Sequence, residues 1–326
     1  MKSALLLALA LAVALPLGAQ SANEKDINDI GHRGVGDGMN FYSLEKEIAL
    51  GKSLAQQVEA TARIEKDPVI NEYVNRLAQN LVRNSDAKVP FTVRVIDSPD
   101  VNAAALPGGY FFVNTGLILA ADNEAELAGG MAHEIAHVAA RHGTREATKG
   151  ELINYATIPL IFVGGGIGFA ARSLTSVAIP MGFLKFSRSQ EAEADYLGVQ
   201  YMYAAGYDPQ GLTEMFEKLL SEEKKQPGAI AKAFETHPTN PSRIAATEKE
   251  IATILPPKPE YVENTSEFDA VKARLAMLQH QSMTDAKLNP DGRPSLIRPD
   301  GSKATPDAPA NGKPTLKRRP DGGGGN

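Results

Sequence analysis

Six histidines and a large set of carboxylates, with no cysteine, are what this chain of 326 residues has for metal or acid–base chemistry. Two of the histidines stand four apart, in His133-Glu134-Ile135-Ala136-His137. On a helix that spacing puts both imidazoles on one face, where they can share a cation. Zinc suits such a pair: it binds neutral imidazole nitrogens and, in catalytic sites, keeps one position open for water. Glu134, beside His133, is then the group to take a proton from that water. Without thiolates, the remaining ligands must be histidine or carboxylate.

The flanks of the pattern read as a helix over residues 123–142. Asp122 or Asn123 can cap its start. Glu124 and Glu126 suit the positive end of its dipole, and Arg141 and His142 the negative end. Gly143 is expected to stop it. Leu127, Met131, Ala132, Ile135, Ala136 and Val138 make the stretch apolar, so the histidines are expected to be largely buried. A buried pair without a partner is costly, which favours a ligand over a chance match on a surface helix.

A third ligand must come from a second element. SRSQEAEADYLGVQYMYAAG, residues 187–206, reads as a helix ending at Gly206. Glu191, Ala194, Asp195, Gly198 and Met202 fall on one face of it, and Glu193 points elsewhere. Glu191 is the candidate ligand. Asp195, one turn on, can accept the free N–H of a ligand histidine and fix its tautomer. Gly198 allows close approach to the first helix, and Met202 packs in the core. Standing alone, the stretch would be a solvated acidic face; the histidine motif changes that balance. His237-Pro238 lies in a loop before a helix that starts at Pro241 and Ser242 and carries Arg243. A loop histidine says little by itself.

The rest of the chain must position these groups. Hydrophobic residues make up 43% of it, enough for a globular core, and the net charge is −5. Residues 1–19 read as a secretory signal: Lys2, an apolar run from Ala4 to Leu15, Pro16, then Leu17-Gly18-Ala19, with cleavage expected after Ala19. Losing Lys2 with that segment takes the charge to −6, which excludes a general nucleic-acid binder. Residues 20–40 are polar and end Gly-rich; an irregular arm is expected, with His32 solvated. Ser43 caps a helix over residues 44–60, and a second follows Pro68. FTVRVIDS alternates as a strand, and VNAAALPGGYFFVNTG reads as a hairpin turning at Pro107-Gly108-Gly109. The small residues from Asn102 to Ala105 form either an edge open to an extended peptide or an ordinary edge strand.

Residues 152–184 carry a charge-free run from Leu152 to Ala171, interrupted by Pro159 and Gly164-Gly165-Gly166. A buried or lid-like segment over the metal site is favoured, with membrane contact as the other reading. Residues 256–283 suggest one docking helix with His280 exposed at its end. Residues 284–326 hold eight basic and five acidic residues among Pro and Gly, and are expected to be disordered.

Taken together, His133-Glu134-Ile135-Ala136-His137, Glu191-Ala192-Glu193-Ala194-Asp195 and His237-Pro238 with Arg243 resemble the gluzincin peptidases related to HtpX and the CAAX prenyl endopeptidase. The likeness runs from about residue 40 to 254 and is strongest to the exported, BepA-like periplasmic branch. It implies zinc ligands His133, His137 and Glu191, Glu134 as general base and Asp195 as the residue orienting a zinc-bound imidazole. It implies that His237 either latches the open position or steadies the transition state, with Arg243 helping at the same face. It places a substrate-aligning edge at about Asn102–Leu106 and a plug within residues 144–190. Two departures are expected. Only about seventy residues follow Ile254, too few for the branch's helical-repeat array, and the spanning helices of HtpX-like members have no counterpart.

The expectation is therefore an α+β fold, mainly helical with a small sheet, whose zinc domain covers residues 41–255. The activity expected is that of an exported zinc endopeptidase acting in the periplasm on polypeptides of the envelope, without nucleic acid. Two other classes remain open: a chaperone-like binder with a shut zinc site, and a non-proteolytic zinc hydrolase.

Overall fold

The computed structural model describes residues 26–149, 186–225 and 237–288. The expected secretory signal, the segment 152–184 and the tail beyond 288 lie outside the described residues. Helices dominate, around one small sheet.

The chain enters through a short 3-10 turn, Ile27–Asp29, capped by Asp26. Irregular backbone follows, as expected, but it is tightly held. Arg33 is 1% exposed. It pairs with Asp86 through Nη2 and Oδ2 at 2.5 Å and donates from Nη1 to Gln200 Oε1. Tyr201 Oη donates to the same carboxylate at 2.9 Å. A charge buried this deeply requires such partners. His32, by contrast, is exposed.

Helix α1, Leu44–Thr61, starts where Ser43 accepts from Lys46 N, and α2, Pro68–Arg83, where Asp67 accepts from Val69 and Ile70. Strand β1, Thr92–Ile96, is followed by the expected hairpin. Its arms are β2, Ala103–Leu106, and β3, Tyr110–Asn114, with Pro107–Gly109 between them. The sheet order is β1-β3-β2. Strand β3 runs parallel to β1, with Val93 opposite Phe111, and antiparallel to β2, with Ala105 opposite Phe111. Among the described residues the alanine-rich β2 is thus an edge strand.

Helix α3, Thr115–Ala120, leads into the central helix α4, Glu124–Ala139. Almost every residue of α4 is buried, its three glutamates and two histidines included. Helix α6, Arg188–Ala205, and helix α7, Gln210–Lys225, pack along it, and β2 lies across it. Helix α8, Pro241–Ile254, and helix α9, Ser266–Leu288, complete the described chain. Phe268, Val271 and Leu275 of α9 are buried. The chain divides after Ala276 into two units; the second, Met277–Asn326, holds the end of α9, where His280 is exposed. Among the described residues no helix is long and apolar enough to cross a membrane.

One boundary differs from expectation. Gly143 does not stop the central helix. The helix ends at Ala139, and Arg141 takes φ 55°, a left-handed conformation uncommon for a residue with a side chain. A new helix, α5, His142–Lys149, begins immediately and contains Gly143. The Arg141 side chain is anchored, donating from Nε to Glu47 Oε2 at 3.0 Å and from Nη2 to the Tyr42 carbonyl.

Candidate metal centre

Asn123 caps α4 by accepting from Glu126 N at 2.8 Å. Two turns further, His133 and His137 project from one face, their Nε2 atoms 3.1 Å apart. Helix α6 starts with a full capping box between Ser187 and Gln190, so Glu191 sits in its first turn. A methyl group built at Gly198 would lie 3.4 Å from the His133 backbone nitrogen, and this close packing of the two helices carries Glu191 to the histidines. Glu191 Oε2 is 3.5 Å from His133 Nε2, and its Oε1 is 3.5 Å from His137 Nε2. His237 enters from the loop before α8, its Nδ1 2.8 Å from Glu191 Oε1 and 3.3 Å from His133 Nε2. One ligand-type atom from each of these four buried residues lies within 4.8 Å of the others.

Around them the other expected residues take their places. His133 Nδ1 is 2.9 Å from Asp195 Oδ1. Arg243 grips Asp195 with two bonds, Nε to Oδ2 at 2.8 Å and Nη2 to Oδ1 at 2.7 Å, and reaches Glu191 Oε2 with Nη1 at 2.8 Å. Glu134 faces the edge strand: Ala105 N–H donates to its Oε2 at 3.1 Å. Its other oxygen is 3.3 Å from His237 Nε2.

The charges test whether a metal fits. Glu134, Glu191 and Asp195 are all buried, and among the described residues Arg243 is the one guanidinium paired with them. With neutral imidazoles this leaves about two negative charges uncompensated in a dry site, a costly arrangement. A divalent cation removes the cost, and Glu191 Oε2, which faces His133 Nε2 at 3.5 Å, makes no aligned hydrogen bond beside its ion pair with Arg243. Burial opposes a proton on His133, yet the Asp195 and Glu191 carboxylates outweigh it and raise its pKa to about 9. Burial and the neighbouring histidines hold His137 well below its usual value. Burial pushes Glu191 up, but His237 and His133 bring it below the normal carboxylate range. The carboxylates thus favour positive charge at His133, while His137 stays a neutral donor. A donor set of imidazoles and a carboxylate without thiolate fits a divalent transition metal.

Two residues near the site were not anticipated. His142 is fully buried, its Nδ1 2.9 Å from His137 Nδ1 and its Nε2 3.2 Å from Glu193 Oε2. Burial lowers the His142 pKa. On an unbroken helix His142 would lie roughly 140° around from His137; the left-handed Arg141 swings it back. Glu193 does point off the ligand face, as expected, but toward this second imidazole. Phe186 stacks on His137 with ring centroids 4.0 Å apart.

Relatives share this region of the chain. Residues 65–251 match the profile of Peptidase family M48. The chain is 31% identical over 246 residues to the Beta-barrel assembly-enhancing protease of Escherichia coli, covering 71% of this chain and 48% of that protein. It is 30% identical to Metalloprotease LoiP of Escherichia coli, covering 74% of this chain and 93% of that protein. Against the Mitochondrial metalloendopeptidase OMA1 of Schizosaccharomyces pombe it is 31% identical over 179 residues, covering 54% of this chain and 52% of the relative. The chain thus spans about half the length of the assembly-enhancing protease. The HExxH helix, the acidic partner helix and the residues they gather all fall within the matched span, and the chain belongs to peptidase family M48.

Proposed function

We propose that the chain is a zinc-dependent endopeptidase of the cell envelope that cleaves extended segments of misfolded or unassembled envelope proteins. The observation that carries this reading is the convergence of His133, His137, Glu191 and His237 beside Glu134 and the edge strand β2. An edge strand aligns a substrate by main-chain hydrogen bonds whatever its sequence. The side chains of Ala103, Ala104 and Ala105 along β2 are small, and all are buried. The names of the bacterial relatives support the envelope as the place of action, and the leader at residues 1–19 supports export to the periplasm.

His133, His137 and Glu191 would hold the ion. Bound there, zinc would polarise the scissile carbonyl and acidify a water. Glu134 takes the proton of the attacking water and passes it to the leaving amine as the C–N bond breaks. For this its carboxylate exchanges the Ala105 N–H for the water, which leaves that N–H available to a substrate carbonyl. Asp195 keeps the proton of His133 on Nδ1, so that Nε2 presents its lone pair. Arg243 restrains both Asp195 and Glu191. His237 donates to the developing oxyanion when it swings out of the donor set.

A second reading, a polypeptide binder with a latent site, draws on His237. Its Nδ1 stands among the ligands, where it would close the open position. Casein degradation by residues 20–326 loaded with zinc, beside Glu134→Gln, separates the two. Cleavage by the parent alone supports the peptidase and the base. Tight zinc binding without cleavage, with suppression of aggregation that survives Glu134→Gln, supports the binder. If His237 latches an active enzyme, His237→Ala raises basal proteolysis; an inactive or unchanged variant overturns the latch.

A further inference from the structure

Of the two motif histidines, His133 has its second nitrogen beside a carboxylate, whereas the second nitrogen of His137 faces another imidazole. We propose that Glu193 and His142 are positioning residues that fix His137 in the tautomer whose Nε2 lone pair faces the metal. This inference rests on the metal site proposed above and extends it by two residues outside the ligand motif.

The proton placement follows from the partners. His137 Nδ1 and His142 Nδ1 are 2.9 Å apart, so one of them donates to the other. A neutral imidazole has one donor and one acceptor nitrogen. Glu193 Oε2 lies 3.2 Å from His142 Nε2, and Arg145 Nη1 lies 3.6 Å from the other oxygen, Oε1. An ionised carboxylate only accepts, so His142 must donate from Nε2. Its Nδ1 is then a lone pair and can only accept. His137 must therefore donate from Nδ1, and its Nε2 is the lone pair, on the side of His133 and Glu191. Reversing the order would set a lone pair against the Glu193 carboxylate and point an N–H into the metal site. Both ligand histidines thus end on a carboxylate, His133 directly and His137 through an interposed imidazole. The backbone that makes this geometry is the left-handed Arg141. Unusual backbone of this kind persists where its surroundings enforce it, as the Glu47 and Tyr42 bonds to Arg141 do.

The test is zinc affinity of the full chain, measured by competition with a chromophoric chelator, together with imidazole nitrogen NMR. His142→Leu removes the acceptor at similar bulk and is expected to weaken zinc binding about 10–100-fold. His142→Asn restores an acceptor oxygen near the Nδ1 position, and its affinity is expected to return to within about threefold of the parent. Glu193→Gln keeps an acceptor and is expected to bind zinc as the parent does; Glu193→Ala is expected to lose affinity. A purely packing role would not distinguish Asn from Leu in this order. Zinc affinity unchanged in His142→Leu, or equally poor in both His142 variants, overturns the proposal. If the leucine variant does not fold, the parent decides: nitrogen spectra must show a proton on His142 Nε2 and on His137 Nδ1, and the opposite tautomer overturns it. A parent that binds no zinc would refute the metal reading, while the spectra would still decide the proton order.

Discussion

Arg243 holds Asp195 in a two-pronged grip, Nε to Oδ2 at 2.8 Å and Nη2 to Oδ1 at 2.7 Å, and the same Oδ1 faces His133 Nδ1 at 2.9 Å. The guanidinium thus acts on a candidate metal ligand through the carboxylate that orients it. Lysine cannot reproduce the fork. Arg243→Lys is expected to cost about 2 kcal/mol of stability and about tenfold in zinc affinity. Thermal melts and chelator competition measure the two. A variant that melts lower yet binds zinc as the parent does would reduce Arg243 to a structural ion pair.

The central helix is approached closely from two sides, and the two approaches predict different losses. A methyl group at Gly129 would lie 2.7 Å from the Leu212 Cα, against backbone that cannot turn aside. Gly129→Ala is expected to destabilise the protein by about 1–3 kcal/mol, the cost of overpacking. At Gly198 the methyl group would meet the His133 backbone nitrogen at 3.4 Å, so a few tenths of an ångström suffice. Gly198→Ala should therefore melt close to the parent but bind zinc more weakly, because the displaced residue carries a ligand. A larger stability loss at 198 than at 129 would contradict this packing.

What was legible in the sequence follows from the range of each signal. His133, His137, Glu191 and Asp195 are each set by the periodicity of one helix, and Ser187 and Gly206 mark the ends of the second helix by local cap chemistry. The hairpin at Pro107–Gly109 is equally local. The parallel pairing of β1 with β3 was not legible, because nothing near either strand encodes its neighbour. Nor was the burial of Arg33, whose partners Asp86 and Gln200 lie 53 and 167 residues away. His142 was missed for another reason. The sequence marks it only as a basic residue at a helix end, and on an unbroken helix it would face away from His137; the chain turns at Arg141, a residue with no propensity for that conformation.

Metal removal tests the charge argument directly. The site gathers three buried carboxylates around one guanidinium, so emptying it restores their repulsion. At zinc a thousandfold above its dissociation constant, binding contributes about 4 kcal/mol. Chelation should therefore lower the melting temperature by about 10 °C. His137→Ala, which removes a ligand, should melt at the same temperature with and without chelator. A chelator effect that persists in this variant would place the stabilising ion elsewhere.

Glu250, on the helix that carries Arg243, gives a prediction in pH. Burial and then the nearby Asp195 charge push its pKa up to about 7 from an ordinary 4.5. The folded protein keeps a proton that the unfolded chain releases, so stability from this group is complete below pH 4.5 and is lost as pH rises through 7. Its ionised form is the destabilising one. Glu250→Gln removes that charge and should raise stability at pH 8 by about 1 kcal/mol, after allowing for screening on its exposed side. The melting temperature should rise by about 2–4 °C at pH 8 and stay unchanged at pH 4.5. An equal gain at both values would assign the effect to the amide's packing, and a loss at pH 8 would mean that the carboxylate has a cationic partner.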